Sequence, residues 1–132
     1  MAYLLDSDTL IYFFKGIGQV RPHLSKQRDT DIHLCTPVLY ELLKGAYKSH
    51  HPRSQLAQLE AVKKRFEVLS FTAGCADQSA HARAHLERLG TPIGPIDTLI
   101  AGIALAHNLT LVTRNTREFE RVPGLKIDNW HD

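Results

Sequence analysis

Acidic side chains stand next to several apolar segments of this 132-residue sequence. Asp6 directly follows an apolar run, Glu41 lies in the first turns of a predicted helix, and Asp97 opens another helix. Carboxylates that come within a few ångströms of each other repel, and each raises the pKa of its neighbours unless a cation compensates. If folding gathers these three positions, a hard divalent cation with oxygen ligands, Mg²⁺ or Mn²⁺, is the natural occupant.

An ion of this kind would suit phosphodiester chemistry. It needs only one or two direct carboxylates, which leaves waters and room for phosphate oxygens. It can polarise a phosphodiester, activate a water and stabilise the departing oxygen. The acids therefore indicate a candidate site for metal-assisted hydrolysis, provided that the fold brings them to one place.

The elements that would position the acids alternate along the chain. Apolar runs predict strands at residues 2–5, 32–35, 66–71 and 109–112, with 125–127 as a candidate edge strand. Helical spacing and capping residues predict helices at 9–15, 37–48, 53–65, 73–89 and 98–107, and a loop or short helix at 113–120. Strands that alternate with helices imply an α/β fold with a central parallel sheet of four to five strands flanked by helices.

A parallel sheet explains how positions that are scattered in the sequence can meet. In open α/β sheets, sites form beyond the carboxyl ends of the strands. Asp6 follows the first predicted strand, Asn115 follows the fourth, and Glu118 lies close behind it. The topology would bring these residues to the same rim as Glu41 and Asp97.

Each acid also has an ordinary structural explanation, and the residues alone leave both explanations open. Asp6 and Asp8 are suitable helix caps, and Glu41 lies beside Lys44, as solvated glutamates commonly do. Asp97 near the third helical position would stabilise its helix by roughly 0.3 to 1 kcal/mol through the helix dipole. However, Asp97 heads an apolar stripe at helical spacing, and a buried carboxylate requires compensation.

Composition limits the class of protein. A chain with 43% hydrophobic and 23% charged residues suits one folded domain over residues 1–132. The net charge of +2 does not by itself indicate a nucleic-acid binder, although acids gathered in one site would leave the remaining surface more basic. No apolar run reaches the roughly 18 to 20 residues of a membrane span, and no signal peptide is evident, so we expect a cytoplasmic protein. Cys35 and Cys75 lack metal-binding or redox spacing, and we expect buried thiols.

Four segments in combination carry a family resemblance. They are YLLDSDTLIYFFKG at residues 3–16, TPVLYELLKGA at 36–46, GTPIGPIDTLIAGIALAHNLTLVTRNTREFERVPGL at 90–125, and NW at 129–130. In this combination the chain resembles the PIN-domain nucleases, and within them the VapC toxins of bacterial type II toxin–antitoxin pairs. No single segment would be specific, but together they span nearly the whole chain. The resemblance implies a PIN-like α/β/α sandwich.

Carried over position by position, the resemblance makes Asp6, Glu41 and Asp97 the catalytic acids that hold Mg²⁺ or Mn²⁺. Asn115 stands where many relatives carry aspartate, so its amide is expected to position a ligand water. Glu118 is the candidate for the missing charge and a further metal ligand.

Three more residues near the acids receive supporting roles by the same resemblance. Asp8 stands where asparagine is commoner in the family and adds a negative charge to the rim. Ser7 and Thr113 are expected to orient the carboxylates or a water.

The activity that the resemblance implies is endonucleolytic hydrolysis of RNA by an activated water, which leaves a 5′-phosphate and a 3′-hydroxyl. The usual substrate class is transfer RNA in its anticodon region, so cleavage would inhibit translation and growth. Four cations near the motifs are candidate phosphate contacts, although each also suits an ordinary surface position: Lys15, Lys44, Arg114 and Arg117. The family further implies a homodimer and a VapB-like antitoxin that covers the site with a cation, with DNA contacted only through the antitoxin.

Two alternatives remain open on the sequence. In a haloacid-dehalogenase-type phosphatase, Asp6 would be the nucleophile, Asp8 the acid/base, and Thr113 part of a second motif. That family also needs a downstream acidic pair for Mg²⁺ after a strand, which this sequence lacks. A non-catalytic module that only binds RNA or an antitoxin is the second alternative, because Asn115 replaces an acid.

Overall fold

Five short strands pair in parallel and form one sheet in a computed structural model that describes residues 1–132. The strands are β1 (Tyr3–Leu5), β2 (Ile32–Cys35), β3 (Glu67–Leu69), β4 (Thr110–Val112) and β5 (Lys126–Asp128). Their order across the sheet is β3-β2-β1-β4-β5, with every neighbouring pair parallel. The order reverses direction at β1 and β4, and the space beyond their carboxyl ends is where sites form in such sheets.

The central strands are apolar because both of their faces are covered. Leu4 and Leu5 in β1 and Leu111 and Val112 in β4 are fully buried. The edge strands β3 and β5 are partly exposed and carry charged residues. This pattern is the one expected of a parallel sheet flanked by helices, and the predicted fold class is confirmed.

The helices that flank the sheet are α1 (Ser7–Lys15), α2 (Val20–Ser25), α3 (Thr36–Lys48), α4 (Pro52–Arg65), α5 (Ala73–Arg88), α6 (Pro95–Ala106) and α7 (Thr116–Phe119). α3 packs against α4, and α5 packs closely against α6. None of these helices combines the length and the apolarity that a membrane crossing requires.

The contact between α5 and α6 is unusually close at Gly102. A Cβ at this position would overlap Ser79 Oγ and would lie 2.8 Å from the carbonyl oxygen of Cys75. Ser79 is buried, and its hydroxyl donates to the carbonyl of Thr98 at 3.0 Å. The absence of a side chain at Gly102 therefore lets α6, which carries Asp97, lie directly on α5.

Most predicted elements are present, with different ends. α1 begins at Ser7 rather than residue 9, because Asp6 is its N-cap, and α6 begins at Pro95 rather than residue 98, because proline suits the first helical position. The strand predicted at residues 66–71 is limited to Glu67–Leu69. The short helix α7 and the edge strand β5 are both formed.

One segment was missed by the sequence analysis. Residues 17–31 contain α2 and a single 3₁₀ turn, Asp29–Asp31. Only Val20 and Leu24 are buried in α2, which is too few apolar positions for a helical period to be recognised.

Both cysteines are buried and free, as the sequence predicted. Burial raises the pKa of the Cys35 thiol to about 12. A thiol in this state is a packing group rather than a nucleophile or a metal ligand.

Candidate metal centre

Three carboxylates from distant parts of the sequence converge at the carboxyl edge of the sheet. Asp6 follows β1, Glu41 lies in α3, and Asp97 lies in the first turn of α6. One carboxylate oxygen from each residue lies within 4.8 Å of the others. The convergence predicted from the sequence is therefore present, and we call these three residues the acidic triad.

Asp6 is fixed by the end of the sheet on both sides. Its backbone N–H donates to the carbonyl of Val112 at 3.0 Å. One carboxylate oxygen accepts from the backbone N–H of Ser7 at 2.8 Å, and the other accepts from Thr113 Oγ1 at 2.8 Å. The residue is only 5% exposed, so its carboxylate has little freedom to move.

Glu41 and Asp97 are positioned by their helices and by one hydroxyl. Ser7 Oγ donates to Glu41 Oε1 at 2.7 Å, which ties α3 to the start of α1. Asp97 is the third residue of α6, and the apolar residues one and two turns behind it, such as Ile100 and Ala104, are fully buried. Asp97 therefore projects from a helix that cannot easily shift.

Burial and mutual repulsion raise the pKa of two triad members. Burial raises the pKa of Asp6 to about 7, and the charge of Asp8 adds to this rise, while hydrogen bonds from Thr113 and Ser7 oppose it. The pKa of Asp97 is raised to about 6, mainly by burial and next by the negative charges of Glu41 and Glu118. Closely spaced carboxylates thus disfavour ionisation of one another in the protein alone.

No basic side chain compensates the triad. The ion pairs of the structure involve other carboxylates, and none includes Asp6, Glu41 or Asp97. A donor set of three carboxylates without a basic partner fits a hard divalent cation with oxygen ligands. The triad is therefore positioned to bind a metal ion.

Asp8 lies at the rim of the triad and has its own partners. Its Oδ2 accepts from the backbone N–H of Arg114 at 3.1 Å and lies 3.5 Å from Thr113 Oγ1. Its Oδ1 accepts from Thr9 Oγ1 at 3.2 Å. Asp8 thus joins α1 to the segment after β4, and its charge contributes to the raised pKa of Asp6.

Asn115 and Glu118 form the other side of the rim. Asn115 Nδ2 donates to Glu118 Oε2 at 3.2 Å, and the backbone N–H of Asn115 donates to Thr113 Oγ1 at 3.0 Å. Glu118 raises the pKa of Asp97 by its charge and by a side-chain hydrogen bond. Glu118 therefore lies beside Asp97, and Asn115 orients Glu118; its direct binding of a metal stays a prediction.

The four predicted cations are placed differently. Lys15 borders a groove that also contains Glu41, and Arg114 lies at the rim next to Asp8. On the exposed side of α3, Lys44 Nζ lies 5.9 Å from the centre of the Tyr40 ring. Arg117 is exposed on α7 without an ion pair. The structure thus brings Lys15 and Arg114 to the edge of the triad, and contact of the four side chains with RNA stays a prediction.

The fold and the triad together agree with one family of known proteins. The PIN domain family model matches residues 3–125. This chain belongs to the PIN-domain family. Among the relatives of this PIN domain is the tRNA(fMet)-specific endonuclease VapC of Salmonella typhimurium, 37% identical over 98% of each chain. The Ribonuclease VapC2 of Rickettsia felis is 35% identical over 98% of each chain.

Solved structures place the PIN domain among the same proteins. The structure of DNA-bound VapBC from Salmonella typhimurium superposes with a TM-score of 0.92 at 37% identity and covers 98% of each chain. That of VapBC2 from Rickettsia felis with a promoter DNA fragment gives 0.90 at 35% identity and covers 98% of this chain and 99% of the other. Within the PIN family, the protein is thus a member of the VapC ribonucleases. The phosphatase alternative is wrong, because another family accounts for nearly the whole chain.

A groove of the PIN domain beside the triad was not evident from the sequence. It has a volume of about 250 Å³ and lies between α1, α3 and α4. Its lining residues are Ile11, Phe14, Lys15, Glu41, Leu42, Gly45, Gln55, Gln58 and Leu59. Gly45 lies within α3, and a Cβ there would meet nothing within 4 Å. A glycine inside a helix destabilises it by roughly 0.5 to 1 kcal/mol relative to alanine, so no packing reason within this chain explains Gly45.

Proposed function

We propose that this VapC-family protein is a toxin that hydrolyses RNA phosphodiester bonds with Mg²⁺ or Mn²⁺ held by Asp6, Glu41 and Asp97. The observation that carries the proposal is the acidic triad, in which three carboxylates lie within 4.8 Å of one another without a basic partner. The relatives named as ribonucleases or endonucleases support it.

The protein's own residues hold and orient the reacting groups in this proposal. The bound ion would supply charge stabilisation for the phosphodiester and a lowered pKa for a water. Thr113 holds Asp6, and Ser7 holds Glu41, so the two hydroxyls fix the donor oxygens. Asn115 holds Glu118 beside Asp97, where Glu118 can provide a further carboxylate.

The substrate that we propose is transfer RNA, cut in its anticodon region, so that translation and growth are inhibited. A relative with 37% identity is named for a transfer RNA. Lys15 and Arg114 lie at the edge of the triad and are suitable phosphate contacts, since cations there supply affinity for the RNA backbone without reading its sequence.

We further propose that a VapB-like antitoxin blocks the site by laying an apolar segment in the groove beside Glu41. The walls of this groove include Ile11, Phe14 and Leu59, and its floor at Gly45 carries no side chain. A basic residue of the antitoxin at the end of the groove would meet the uncompensated triad. Structures of similar proteins were solved as VapBC complexes. DNA would be contacted only through the antitoxin, and the toxin, a single domain over residues 1–132, would form a homodimer.

Metal-dependent RNA cleavage by the purified protein, freed of antitoxin, tests the proposed activity. We expect cleavage with Mg²⁺ or Mn²⁺, none with a chelator, and none after Asp6→Ala or Asp97→Ala, with folding checked by circular dichroism. Asp77→Ala, at an exposed acid on α5, is the matched control and should cleave normally. RNA that is bound but never cut would favour the non-catalytic alternative, and unchanged cleavage in both alanine variants would refute the proposal.

Substitution of Gly45 tests the antitoxin groove. Gly45→Ala should stabilise the helix by roughly 0.5 to 1 kcal/mol and leave RNA cleavage intact. Gly45→Trp should fill the groove, so that an added antitoxin inhibits cleavage far less. Equal inhibition of wild type and Gly45→Trp would place the antitoxin elsewhere.

A further inference from the structure

The backbone of Arg114 is attached to the rim of the acidic triad. Thr113, the residue before it, donates to Asp6 Oδ2 at 2.8 Å. The backbone N–H of Arg114 donates to Asp8 Oδ2 at 3.1 Å. The side chain of Arg114 therefore starts next to the triad, at a position from which a long cation could reach into it.

The guanidinium of Arg114 instead contacts Tyr12 and Asp132. Its Nη1 donates to the hydroxyl of Tyr12 at 3.4 Å, and its Cζ lies 5.8 Å from the centre of the Tyr12 ring. Its Nε lies 3.7 Å from Asp132 Oδ1, and its side chain is 49% exposed. Nη2 donates no hydrogen bond within the protein. The group is thus oriented, yet it keeps donors for a ligand.

The segment that carries Asp132 is anchored by a buried tryptophan. Trp130 is only 2% exposed and packs between the rings of Tyr3 and His23, with centroids at 4.9 and 5.7 Å. Gly18 has a φ of +67°, and a Cβ there would lie 2.5 Å from the carbonyl oxygen of His131. Glycine at this position therefore allows residues 128–132 to lie against the loop before α2.

The last residues of this segment fix the carboxylate of Asp132. Asn129 Oδ1 accepts from the backbone N–H groups of His131 and Asp132 at 2.9 and 3.3 Å. His131 Nδ1 lies 2.8 Å from Asp132 Oδ1, and the His131 ring packs edge-on against Tyr12 at 4.6 Å. The segment that is anchored by the buried Trp130 therefore also fixes the carboxylate of Asp132, which contacts the guanidinium of Arg114.

We propose that residues 128–132 and Tyr12 are positioning residues that hold Arg114 as a phosphate-binding cation beside the RNA bond to be cut. This inference rests on the proposed function. An unrestrained guanidinium at the rim would be attracted by the triad and would neutralise it, because nothing basic compensates those acids. Asp132 and Tyr12 hold it outside the triad, where its planar donors suit a phosphate of the RNA backbone.

RNA binding by a chain that cannot cut its ligand tests the role of Arg114. In the Asp97→Asn background, the affinity for a fluorescently labelled transfer RNA is measured by anisotropy at several KCl concentrations. Arg114→Ala should bind about ten-fold more weakly, and the slope of log affinity against log salt should fall by about 0.7 to 0.9, as for one lost phosphate contact. Lys126→Ala is the matched control, because Lys126 is an exposed cation at the amino end of β5 and lies at the opposite edge of the sheet.

The variant Asp132→Asn tests whether the segment positions Arg114. Removing a negative charge near a polyanion should by itself tighten binding, so weaker binding with a reduced salt slope is expected only if Asp132 positions the guanidinium. Tighter binding would overturn the positioning role, and an unchanged affinity and slope in Arg114→Ala would overturn the phosphate contact. Neither tighter binding in Asp132→Asn nor unchanged binding in Arg114→Ala would contradict the proposed function if the wild type still cleaves RNA. A wild type that neither binds nor cleaves RNA would overturn the proposed function together with this inference.

Discussion

Two pairs of aspartates differ in whether a basic side chain compensates their charge. One pair, Asp29 and Asp31, lies at the surface, and the other, Asp6 and Asp97, lies at the edge of the sheet. Asp29 pairs with two nitrogens of Arg65 at 3.0 and 3.1 Å, and Asp31 pairs with Arg28 at 3.1 Å. Asp6 and Asp97 have only hydroxyl, amide and carboxyl neighbours, and their pKa values are raised. Charge compensation by arginine marks a structural acid, and its absence in a buried position marks a candidate ligand for a cation.

The largest difference between the two pairs should appear in catalysis. We expect Asp6→Asn and Asp97→Asn to lower the rate of RNA cleavage by more than about 100-fold. Mutation of a residue that only hydrogen-bonds to a metal ligand already lowers metal affinity or activity by about 10- to 100-fold. Asp29→Asn removes the same charge at the surface and should leave the rate unchanged. Single-turnover cleavage of labelled RNA measures all three variants, and a comparable loss in Asp29→Asn would contradict the comparison.

The hydroxyl that holds Asp6 should matter next most. Thr113→Val keeps the shape of a buried side chain but removes the donor to Asp6 Oδ2. We expect a loss of about 10- to 100-fold in cleavage or in metal affinity, because the carboxylate loses its orientation and its pKa rises further. Thr30→Val, in the exposed turn between Asp29 and Asp31, is the control. Metal affinity can be measured by calorimetry, and equal values for wild type and Thr113→Val would show that the hydroxyl is dispensable.

Metal binding by the pair at the sheet edge should depend on pH. Metal binding to the triad should weaken as the pH falls through 7 and 6, by up to about ten-fold per pH unit for each proton displaced, because the pKa values of Asp6 and Asp97 are about 7 and about 6.

Without metal, the same raised pKa values make the fold more stable at low pH than at neutral pH, and this difference is lost as the pH rises from 3.8 through 6 and 7. Thermal unfolding between pH 5 and 8, with and without Mn²⁺, measures both effects. Asp6→Asn should flatten the metal-free profile.

The smallest effect concerns stability at neutral pH. Asp29→Ala breaks an exposed pair with Arg65, both about half exposed, and should destabilise the protein by no more than about 1 kcal/mol. Asp6→Asn in metal-free protein should instead raise the free energy of unfolding, because it removes a buried carboxylate that lacks a cation. Urea unfolding measures both variants, and a destabilised Asp6→Asn with normal secondary structure would indicate that Asp6 serves mainly to accept the hydrogen bonds of Ser7 and Thr113 with its two oxygens.

The sequence could predict the parts of the site that depend on strand ends and helix starts. Asp6 and Thr113 follow buried strands, where an apolar run stops abruptly, and Asp97 follows Gly94 and Pro95 at a helix start. Glu41 was less evident, because its neighbours resemble those of a solvated glutamate. Its membership of the triad depends on a contact with Ser7 that spans 34 positions.

Contacts between distant loops were beyond prediction. Tyr12, Arg114 and Asp132 come together only after α1, β4 and β5 have assembled, and no local pattern records that meeting. α2 was missed for a different reason, since a helix of six residues with two buried positions carries too little periodic signal. The helix ends were wrong where a cap or a proline, rather than an apolar residue, begins the helix.

The glycine at position 102 ties the spacing of two helices to the chemistry at the sheet edge. Any larger side chain there would push α6 away from Ser79 and would carry Asp97 with it. A genetic screen for alleles that have lost the proposed toxicity should therefore recover substitutions of Gly102 as well as substitutions of the triad acids. Such alleles would be recognised by a soluble, folded product whose carboxylates are all intact.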